Sequence, residues 1–273
     1  MLHEVVALLR CPVCHKPLSR DNGVLRCSAR HSFDIARHGY VSLLAGKPRS
    51  GDTAGMVAAR HEFLAGGHFR WLANLLAERA SPGTAGVIVD AGAGTGYYLA
   101  AVLDRLPGLG IALDSSGYAL RRAARAHPRI GAIRADLWRR LPIADRAATL
   151  LLNVFAPRNA AEFHRILSPA GALLTVTPTG QHLAELVAPL GLLSVAADKP
   201  SRLEGALGEW FRTEHAAEHR VTLRLDRPQV TALAGMGPSA WHIDPDRLAA
   251  RIAALPEPVE VTAGCQLTVW RPR

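Results

Sequence analysis

The hydrophobic pattern between residues 86 and 177 alternates between short apolar runs and amphipathic stretches. The segments GVIVDAG (86–92) and LGIALD (109–114) are predicted to form buried strands, and helical spacing follows them near 96–105 and 117–127. The same criteria predict further strands at 130–134, 147–153 and 171–177 and a helix at 158–167. This alternation predicts an α/β fold with a mostly parallel, doubly wound sheet and a ligand at the carboxyl ends of its strands.

The segments on either side of this region have their own periodicities. Residues 56–80 carry apolar side chains at helical spacing, interrupted at Gly66 and Gly67, which predicts two helices joined by a glycine turn. Late in the chain, RVTLRLD (220–226) and VEVTAGCQLTVW (259–270) alternate between polar and apolar residues. This alternation predicts antiparallel strands at a sheet edge.

The first 45 residues differ from the rest because they hold three of the four cysteines and predict only short strands and turns. The next segment, AGKPRSGDTAG (45–55), has the Gly-rich, polar composition of a linker. We therefore expect three parts: a small N-terminal module at 1–45, a helical linker region at 46–80 and the α/β domain at 81–273.

Composition narrows the class of protein. A hydrophobic content of 49% with 20% charged residues is enough to fill a core. The start of the chain lacks a secretory signal, and no apolar run approaches the ~20 residues of a membrane helix, so we expect a cytoplasmic protein with no membrane partner. The net charge of +9 comes mainly from arginine, which favours RNA as a partner, although a GC-rich genome also enriches arginine.

Three cysteines and one histidine have the spacing of a metal site. Cys11, Cys14, Cys27 and His31 form C-x2-C-x12-C-x3-H, which brings two short-range pairs together around Zn²⁺. A disulfide is the alternative, but disulfides are rare in the reducing compartment that we expect. Four protein ligands leave no open position, so the metal is predicted to be structural.

Other side chains compete for roles in this module. His15 and His38 are rival imidazole ligands, but His15 directly follows Cys14 and His38 requires a wider loop. Cys265 is far away in a predicted strand and is expected to be a buried apolar residue. The module carries more Arg and Lys than acidic residues, which favours substrate recognition over a merely solvated surface.

A glycine-rich turn follows the first strand of the α/β domain. Gly92, Gly94 and Gly96 allow a tight turn and close approach of a ligand to the backbone. A nicotinamide fingerprint needs a further glycine where Tyr97 stands. Asp90, directly before the turn, suits the cationic methionyl end of S-adenosylmethionine better than a pyrophosphate.

Two further acids are expected in this cofactor site. Asp114 ends the second strand, where a carboxylate can accept hydrogen bonds from ribose hydroxyls. Asp136 follows the third strand and is predicted to accept from the adenine amino group; a helix cap is its alternative role.

Taken together, these motifs resemble the 23S rRNA guanine-N1 methyltransferases, including those that confer tylosin and mycinamicin resistance. The resemblance rests on CPVC and CSARHSFD, HGYVSLL (38–44), GDTAGMVAARHEFLAGGHF (51–69), DAGAGTGYYL (90–99), NVFAPRN (153–159), TPTGQHLAEL (177–186) and MGPSAWH (236–242). It implies a Rossmann-like class I methyltransferase domain that binds S-adenosylmethionine and an N-terminal zinc-binding module that recognises RNA.

The resemblance also implies the zinc ligands and cofactor acids named above, a guanine target in a hairpin loop of domain II, and a homodimer with a basic RNA cleft. NVFAPRN is close to the macrolide-resistance branch. Two functions of other classes remain as alternatives: a non-catalytic RNA-binding or ribosome-assembly protein, and a small-molecule methyltransferase of antibiotic biosynthesis.

Candidate catalytic residues lie in and around NVFAPRN. Asn153 is placed at a strand end, where its amide is expected to contact the target base, and Pro157 is expected to stiffen the adjoining loop. Phe155 is a candidate for stacking on an extruded base. Further candidates, each of which could equally be a core or dimer contact, are Tyr40, His68, Trp241 and His242. The arginine-rich run 121–140 is predicted either to line an RNA path or to form a solvated helix face.

Overall fold

The structure is a computed structural model that describes residues 2–44, 46, 51–80, 86–194 and 205–273. The N-terminal segment consists of helix α1 (Leu2–Val5), a 3-10 turn (Val6–Leu8) and the strands β1 (Leu18–Asp21), β2 (Val24–Cys27), β3 (Ser32–Asp34) and β4 (Tyr40–Ser42). Strands β1, β2 and β3 form a small antiparallel sheet. Asn22 and Gly23, both at positive φ, make the two-residue turn that joins β1 to β2.

The rest of the chain follows the predicted alternation. Its first half contains α2 (Ala54–Ala65), α3 (Arg70–Arg79), β5 (Gly86–Ala91), α4 (Tyr97–Arg105), β6 (Gly108–Asp114), α5 (Gly117–Ala126) and β7 (Ile130–Arg134). Its second half contains β8 (Ala148–Val154), α6 (Ala160–Ile166), β9 (Leu167–Pro178), α7 (Ala184–Leu190), β10 (Phe211–Leu225), α8 (Arg227–Gly235), α9 (Pro245–Ala253) and β11 (Val259–Pro272). The predicted strands and the two helices flanking Gly66 and Gly67 are confirmed.

A single eight-stranded sheet organises the molecule, in the order β10-β11-β9-β8-β5-β6-β7-β4. Strands β4 to β9 pair in parallel, and β11 and β10 pair antiparallel, as their late alternation predicted. The chain winds outward from β5 in one direction and resumes at β8 on its other side. This switch point opens a crevice beyond the carboxyl ends of β5 and β8, where doubly wound sheets bind ligands.

Strand residues alternate between two hydrophobic layers. Val89 and Ile111 face one layer, whereas their neighbours Ile88 and Ala112 face the other, which is packed with α3, α4 and α5. This period of two is the geometry of a sheet covered on both faces. None of the helices in the described ranges is long and apolar enough to cross a membrane.

The N-terminal segment is built into this core. Strand β4 pairs in parallel with β7, so that Tyr40 lies opposite Ala132, and Leu9 forms a bridge with Ile143. The layer around Val89 also contains the buried side chains Leu2, Val5, Leu9, Leu25 and Val41. The segment therefore contributes both an edge strand and part of the cover of one sheet face.

The reason lies in the connection between β7 and β8. Residues 135–147 form turns and no helix, so this crossover does not supply the helix that usually covers the sheet. Helix α1 and the 3-10 turn pack there instead. The division into 1–45, 46–80 and 81–273 stays a prediction, and the described residues of the first part share a hydrophobic core with the sheet.

Helices α8 and α9 were not predicted from the sequence. They form a third hydrophobic cluster together with α2, α7 and the ends of β10 and β11. Helix α8 packs against α2, and the segment after it carries Met236 and Trp241 toward the carboxyl ends of the parallel strands. The C-terminal half thus closes one side of the crevice.

The close packing of α1 on β7 yields a testable prediction. A Cβ atom on Gly131 would lie 2.5 Å from Cγ2 of the fully buried Val5. Because Val5 is short and β-branched, it cannot move aside easily, so Gly131→Ala is expected to destabilise the chain by about 1–3 kcal/mol in urea unfolding. Gly180→Ala, where nothing lies within 4 Å of the new Cβ, is the matched control. Equal stability of the two variants would contradict this packing.

Candidate metal centre and cofactor pocket

The four predicted metal ligands converge in the N-terminal segment. Their ligand atoms all lie within 4.8 Å of one another, with Cys11 Sγ 3.5 Å and Cys27 Sγ 3.4 Å from His31 Nδ1. Cys14 Sγ is 3.6 Å from Cys27 Sγ. Bonds of about 2.0–2.3 Å to a tetrahedral zinc ion require ligand separations of roughly 3.4–3.8 Å, so the four side chains fit zinc.

Two tight turns create this arrangement. The amide of His15 donates to the carbonyl of Cys11, and the amide of Arg30 donates to that of Cys27. Both His15 and Arg30 adopt positive φ, which closes each turn. Among the residues described, this is the one group with metal-binding geometry, and neither His15 nor His38 belongs to it.

The surroundings of Cys27 favour its thiolate form. Burial opposes its ionisation, but hydrogen bonding to the His31 backbone and the Cys14 side chain outweighs burial and lowers the pKa of Cys27 to about 6. The thiolate is the form that binds zinc. Cys265, in contrast, is buried in β11, and burial raises its pKa to about 12.

The glycine turn after β5 has the predicted backbone geometry. Gly92, Gly94 and Gly96 all have positive φ. The first of them is also constrained by space, because a Cβ atom on Gly92 would lie 2.3 Å from Cβ of Ala156 in the loop after β8. The turn and that loop are therefore in direct contact.

Two of the predicted cofactor acids are held close to this turn. Asp114 accepts hydrogen bonds from the amides of Gly94 (2.9 Å) and Ser116 (2.8 Å). Asp90 is 1% exposed, and in the described part of the chain neither of its carboxylate oxygens has a hydrogen-bond partner. Burial, reinforced by the nearby Asp114, raises the pKa of Asp90 to about 8. A buried acid without a partner fits a ligand that brings a cation.

A pocket of about 440 Å³ opens at this edge of the sheet, a size typical of small-molecule sites. Its wall includes the predicted residues Gly92, Gly94, Asp114, Asp136, Phe155, Pro157 and Trp241. Asp90, Gly96 and Asn153 are buried behind the wall. Asp136 lines the pocket, and its contact with adenine stays a prediction. It caps no helix, because residues 135–147 form turns; its Oδ1 accepts from the amide of Trp138 at 3.0 Å within one of these turns.

Comparison with known sequences shows the family of this chain. The zinc-ribbon family described as RlmA, N-terminal, matches residues 9–48. A 23S rRNA (guanine(748)-N(1))-methyltransferase of Streptomyces fradiae is 48% identical, covering 100% of this chain and 99% of the relative. A Micromonospora griseorubida protein named among the 23S rRNA (guanine-N(1)-)-methyltransferases is 54% identical over 98% of this chain and 99% of its own length. The chain belongs to this methyltransferase family.

Solved structures agree with this membership at the level of the fold. A Bacillus halodurans protein described as a methyltransferase matches with a TM-score of 0.53 at 14% identity, covering 73% of this chain and 97% of that one. A chain from the complex of the Haloferax volcanii Trm112 activator with a methyltransferase matches with a TM-score of 0.56 at 17% identity, covering 82% and 98%. The methyltransferase accordingly uses S-adenosylmethionine as methyl donor and carries zinc.

The structure changes the interpretation of Asn153. Its side chain is fully buried, and its Nδ2 donates to the carbonyls of Ala91 and Pro157, each at 2.9 Å. The predicted contact with the base stays a prediction, and the buried Oδ1 of Asn153 has no hydrogen-bond partner among the described residues. The amide nitrogen joins the glycine turn to the loop that carries Phe155 and Pro157.

Several wall residues of the methyltransferase carried no recognisable chemistry in the sequence. Arg60 of α2 forms an ion pair with Asp52 and donates from Nη2 to the carbonyl of Met236 at 2.8 Å. Other unpredicted wall residues are Phe69, Tyr98 and Trp138. For Arg60 and Phe69 the available signal was the family motif GDTAGMVAARHEFLAGGHF, and for Tyr98 it was DAGAGTGYYL; Trp138 lies in neither motif. The wall contacts join segments that are distant in sequence, so local patterns do not predict them.

The remaining candidates for contact with the target base lie at different distances from the pocket. Trp241 and Phe155 are 47% and 39% exposed and lie at the pocket, where they are accessible to a base. His68 stacks on Phe63, with ring centroids 4.7 Å apart. His242 is exposed after the 3-10 turn that ends at Trp241, and Tyr40 lines a second cavity.

The metal centre gives a second prediction. The purified enzyme is expected to contain about one zinc per chain, and Cys27→Ser is expected to lose it and to lower the unfolding temperature of the whole chain in one transition. The physical reason is that the zinc segment shares its hydrophobic core with the sheet, so metal binding and folding are linked.

Metal analysis and calorimetry measure the two effects. Cys265→Ser is the matched control, since this buried cysteine lies outside the ligand cluster and its loss should leave the zinc content unchanged. A Cys27→Ser variant that retains one zinc, or that unfolds at the wild-type temperature, would contradict the assignment.

The buried Asp90 gives a third prediction. In the free enzyme its raised pKa keeps the carboxyl protonated at pH 6–7, whereas contact with an ammonium group requires the carboxylate. The affinity for S-adenosylhomocysteine is therefore expected to rise by up to about tenfold per pH unit and to level off above pH 8.

Calorimetry at several pH values checks this dependence. The ligand control is 5′-methylthioadenosine, which lacks the amino-acid end and should bind without the pH dependence. The protein control is Asp90→Asn, whose affinity for S-adenosylhomocysteine should not change with pH. A wild-type profile that is flat for both ligands would remove Asp90 from contact with the ammonium group.

Proposed function

We propose that this enzyme methylates N1 of a guanine in a domain II hairpin loop of 23S rRNA. The target corresponds to guanine 748, the nucleotide in the name of the Streptomyces fradiae relative. The observation that carries the proposal is 48% identity to that relative over both whole chains. Methylation at this position is proposed to confer macrolide resistance. A ribosomal substrate also implies that the enzyme works in the cytoplasm.

The proposed cofactor contacts follow from the charges around the pocket. Asp114 accepts hydrogen bonds from the ribose hydroxyls, and Asp136 accepts from the adenine amino group. The amino-acid end of the cofactor carries both an ammonium and a carboxylate, which Asp90 and Arg60 match in charge. Arg60 lies beside the turn, with its Nη1 3.5 Å from where a Cβ of Gly94 would lie.

The bound cofactor supplies an electrophilic methyl group on a sulfonium. Transfer breaks the bond between sulfur and the methyl carbon, forms a bond from that carbon to guanine N1, and releases the N1 proton to a base or solvent. The main task of the protein is to hold N1 in line with the methyl group. Phe155 and Trp241 are proposed to stack on the extruded guanine, and Pro157 is proposed to limit its movement.

Asn153 is proposed as a positioning residue for this step. Its two hydrogen bonds fix the distance between the glycine turn, which contacts the cofactor, and the loop 154–157, which contacts the base. An error of about 1 Å in such alignment can reduce turnover by roughly 100-fold. Asn153 is thereby proposed to affect catalysis through the turn and the loop that it joins.

RNA binding is proposed to extend beyond the pocket. The zinc module carries an excess of cations, among them Arg20, Arg26, Arg30 and Arg37, that can contact phosphates. A homodimer that places two such modules around one RNA is part of this proposal. The oligomeric state is measurable by sedimentation of the free and RNA-bound enzyme.

The fourth prediction tests this function. The enzyme is incubated with S-adenosylmethionine and the domain II hairpin, and the product is analysed by mass spectrometry and primer extension, because a methyl group at N1 blocks base pairing. We expect a single N1-methylguanine. Asn153→Ala is expected to lower single-turnover methylation by about 100-fold while changing the affinity for S-adenosylhomocysteine less than twofold.

Asp114→Ala is the contrasting variant, since loss of a ribose acceptor should weaken cofactor binding itself by about tenfold or more. An unmethylated hairpin together with methylation of a small-molecule acceptor would overturn the proposed function. Equal losses of turnover and cofactor affinity in Asn153→Ala would overturn its positioning role.

A further inference from the structure

A second cavity of about 300 Å³ adjoins the cofactor pocket, and its lining is predominantly polar and aromatic. It lies beyond the carboxyl ends of β4, β6 and β7, where α5 begins, and it includes Tyr40, Tyr118, Arg121 and Arg134. The two cavities share Gly51, Asp52 and Ser115 as a common wall. No role in binding the cofactor or the target base accounts for this cavity.

The side chains of this cavity favour an anion. The Arg121 guanidinium lies over the ring of Tyr118, 5.3 Å from its centroid, and among the described residues no carboxylate forms an ion pair with it. Arg134 donates from Nε to the carbonyl of Ser115 at 2.8 Å, which anchors its guanidinium at the cavity wall. The single acid of the lining, Asp52, is already paired with Arg60.

The start of helix α5 adds a second source of positive potential. The hydroxyl of Ser116 accepts from the amide of Ala119, and no acceptor in the described ranges is bound to the amides of Gly117 and Tyr118. Free amides at the start of a helix of ten residues, together with its dipole, are a common phosphate-binding arrangement. Gly117 and Tyr118, which carry these amides, line the same cavity as Arg121 and Arg134.

A ridge of cations connects the cavity to the zinc module. A Cβ atom on Gly39 would lie 3.5 Å from Cβ of Ala124, so the loop that carries His38 packs on α5. Burial and the positive charges of Arg121, Arg37 and Arg125 accordingly lower the pKa of His38. None of the three arginines forms an ion pair with a described acid. The ridge runs from the N-terminal segment onto α5, and the exposed ring of Tyr118 (49%) lies at its end.

These features match a nucleic-acid backbone better than a free small anion. Tyr118 offers an exposed ring for stacking beside an arginine that can bind a phosphate, as single-stranded RNA sites do. The shared wall places the cavity directly beside the pocket where the target guanine is proposed to bind. We propose that this cavity binds a backbone phosphate of the RNA next to the target guanine, while Tyr118 stacks on the neighbouring base.

This inference rests on the proposed function, and the fifth prediction tests it separately. A set of hairpins is made in which one phosphate at a time near the target guanine is replaced by a neutral methylphosphonate. Wild-type enzyme is expected to lose about tenfold in affinity at one linkage in particular. Arg121→Ala is expected to bind the unmodified hairpin about tenfold more weakly than the wild type does. Its affinity should not fall further when that linkage is neutral.

The matched control is Arg224→Ala, which removes the same charge from exposed β10, at the opposite edge of the sheet from β4. The Arg224→Ala variant should lose as much RNA affinity as the wild-type enzyme when the sensitive linkage is made neutral. Arg121→Ala should also reduce the salt dependence of RNA binding by about one counterion and leave the affinity for S-adenosylhomocysteine unchanged.

The outcomes separate the two proposals. Suppose that the wild-type enzyme methylates the hairpin, but that the fold-loss of RNA affinity in Arg121→Ala multiplies with the fold-loss at every neutral linkage. The phosphate site is then overturned and the proposed function stands. An equal loss in Arg224→Ala would show that only net charge matters, which also overturns the site. If the wild type leaves the unmodified hairpin unmethylated, the proposed function fails before the scan begins.

Discussion

The close contact between the glycine turn and the loop after β8 is the constraint on which the rest of the site depends. Gly92 has no room for a side chain against Ala156, and Asn153 ties the carbonyls of Ala91 and Pro157 together from behind. The turn and the loop are thus fixed to each other, and the proposed function places the cofactor at the turn and the acceptor at the loop. In a reaction that depends on alignment, this connection matters more than any single contact with a substrate.

The zinc segment extends this rigidity to the other face of the sheet. The crossover from β7 to β8 lacks a helix, and α1 together with the first 3-10 turn covers the exposed strands instead. The metal ligands lie in a segment of short strands that packs on the sheet. Metal binding there is therefore expected to stabilise the sheet as well, including the strand ends around the pocket. The zinc segment and the sheet share one hydrophobic core in this enzyme.

Charge is divided between the interior and the surface. The buried acids Asp90 and Asp114 lie next to the glycine turn, where burial raises the pKa of each carboxyl and where the proposed function places the cationic cofactor. The arginines of α5 and the N-terminal segment remain outside, where they can contact phosphates. The polar wall at Asp52 and Ser115 separates these two regions by a single layer of residues.

Much of this protein was predictable from local sequence. Strand and helix periods, the C-x2-C-x12-C-x3-H spacing and the position of Asp114 each depend on residues close together in the chain, so the main sheet, the zinc ligands and the glycine turn could be predicted. Only the tertiary structure decided that Tyr40–Ser42 joins the large sheet and that α8 helps to close the pocket. It also decided that Arg60 faces the glycine turn and that Asn153 is buried. The physical reason is that these four features are long-range contacts, whose partners are selected by packing and leave no periodic signal in the chain.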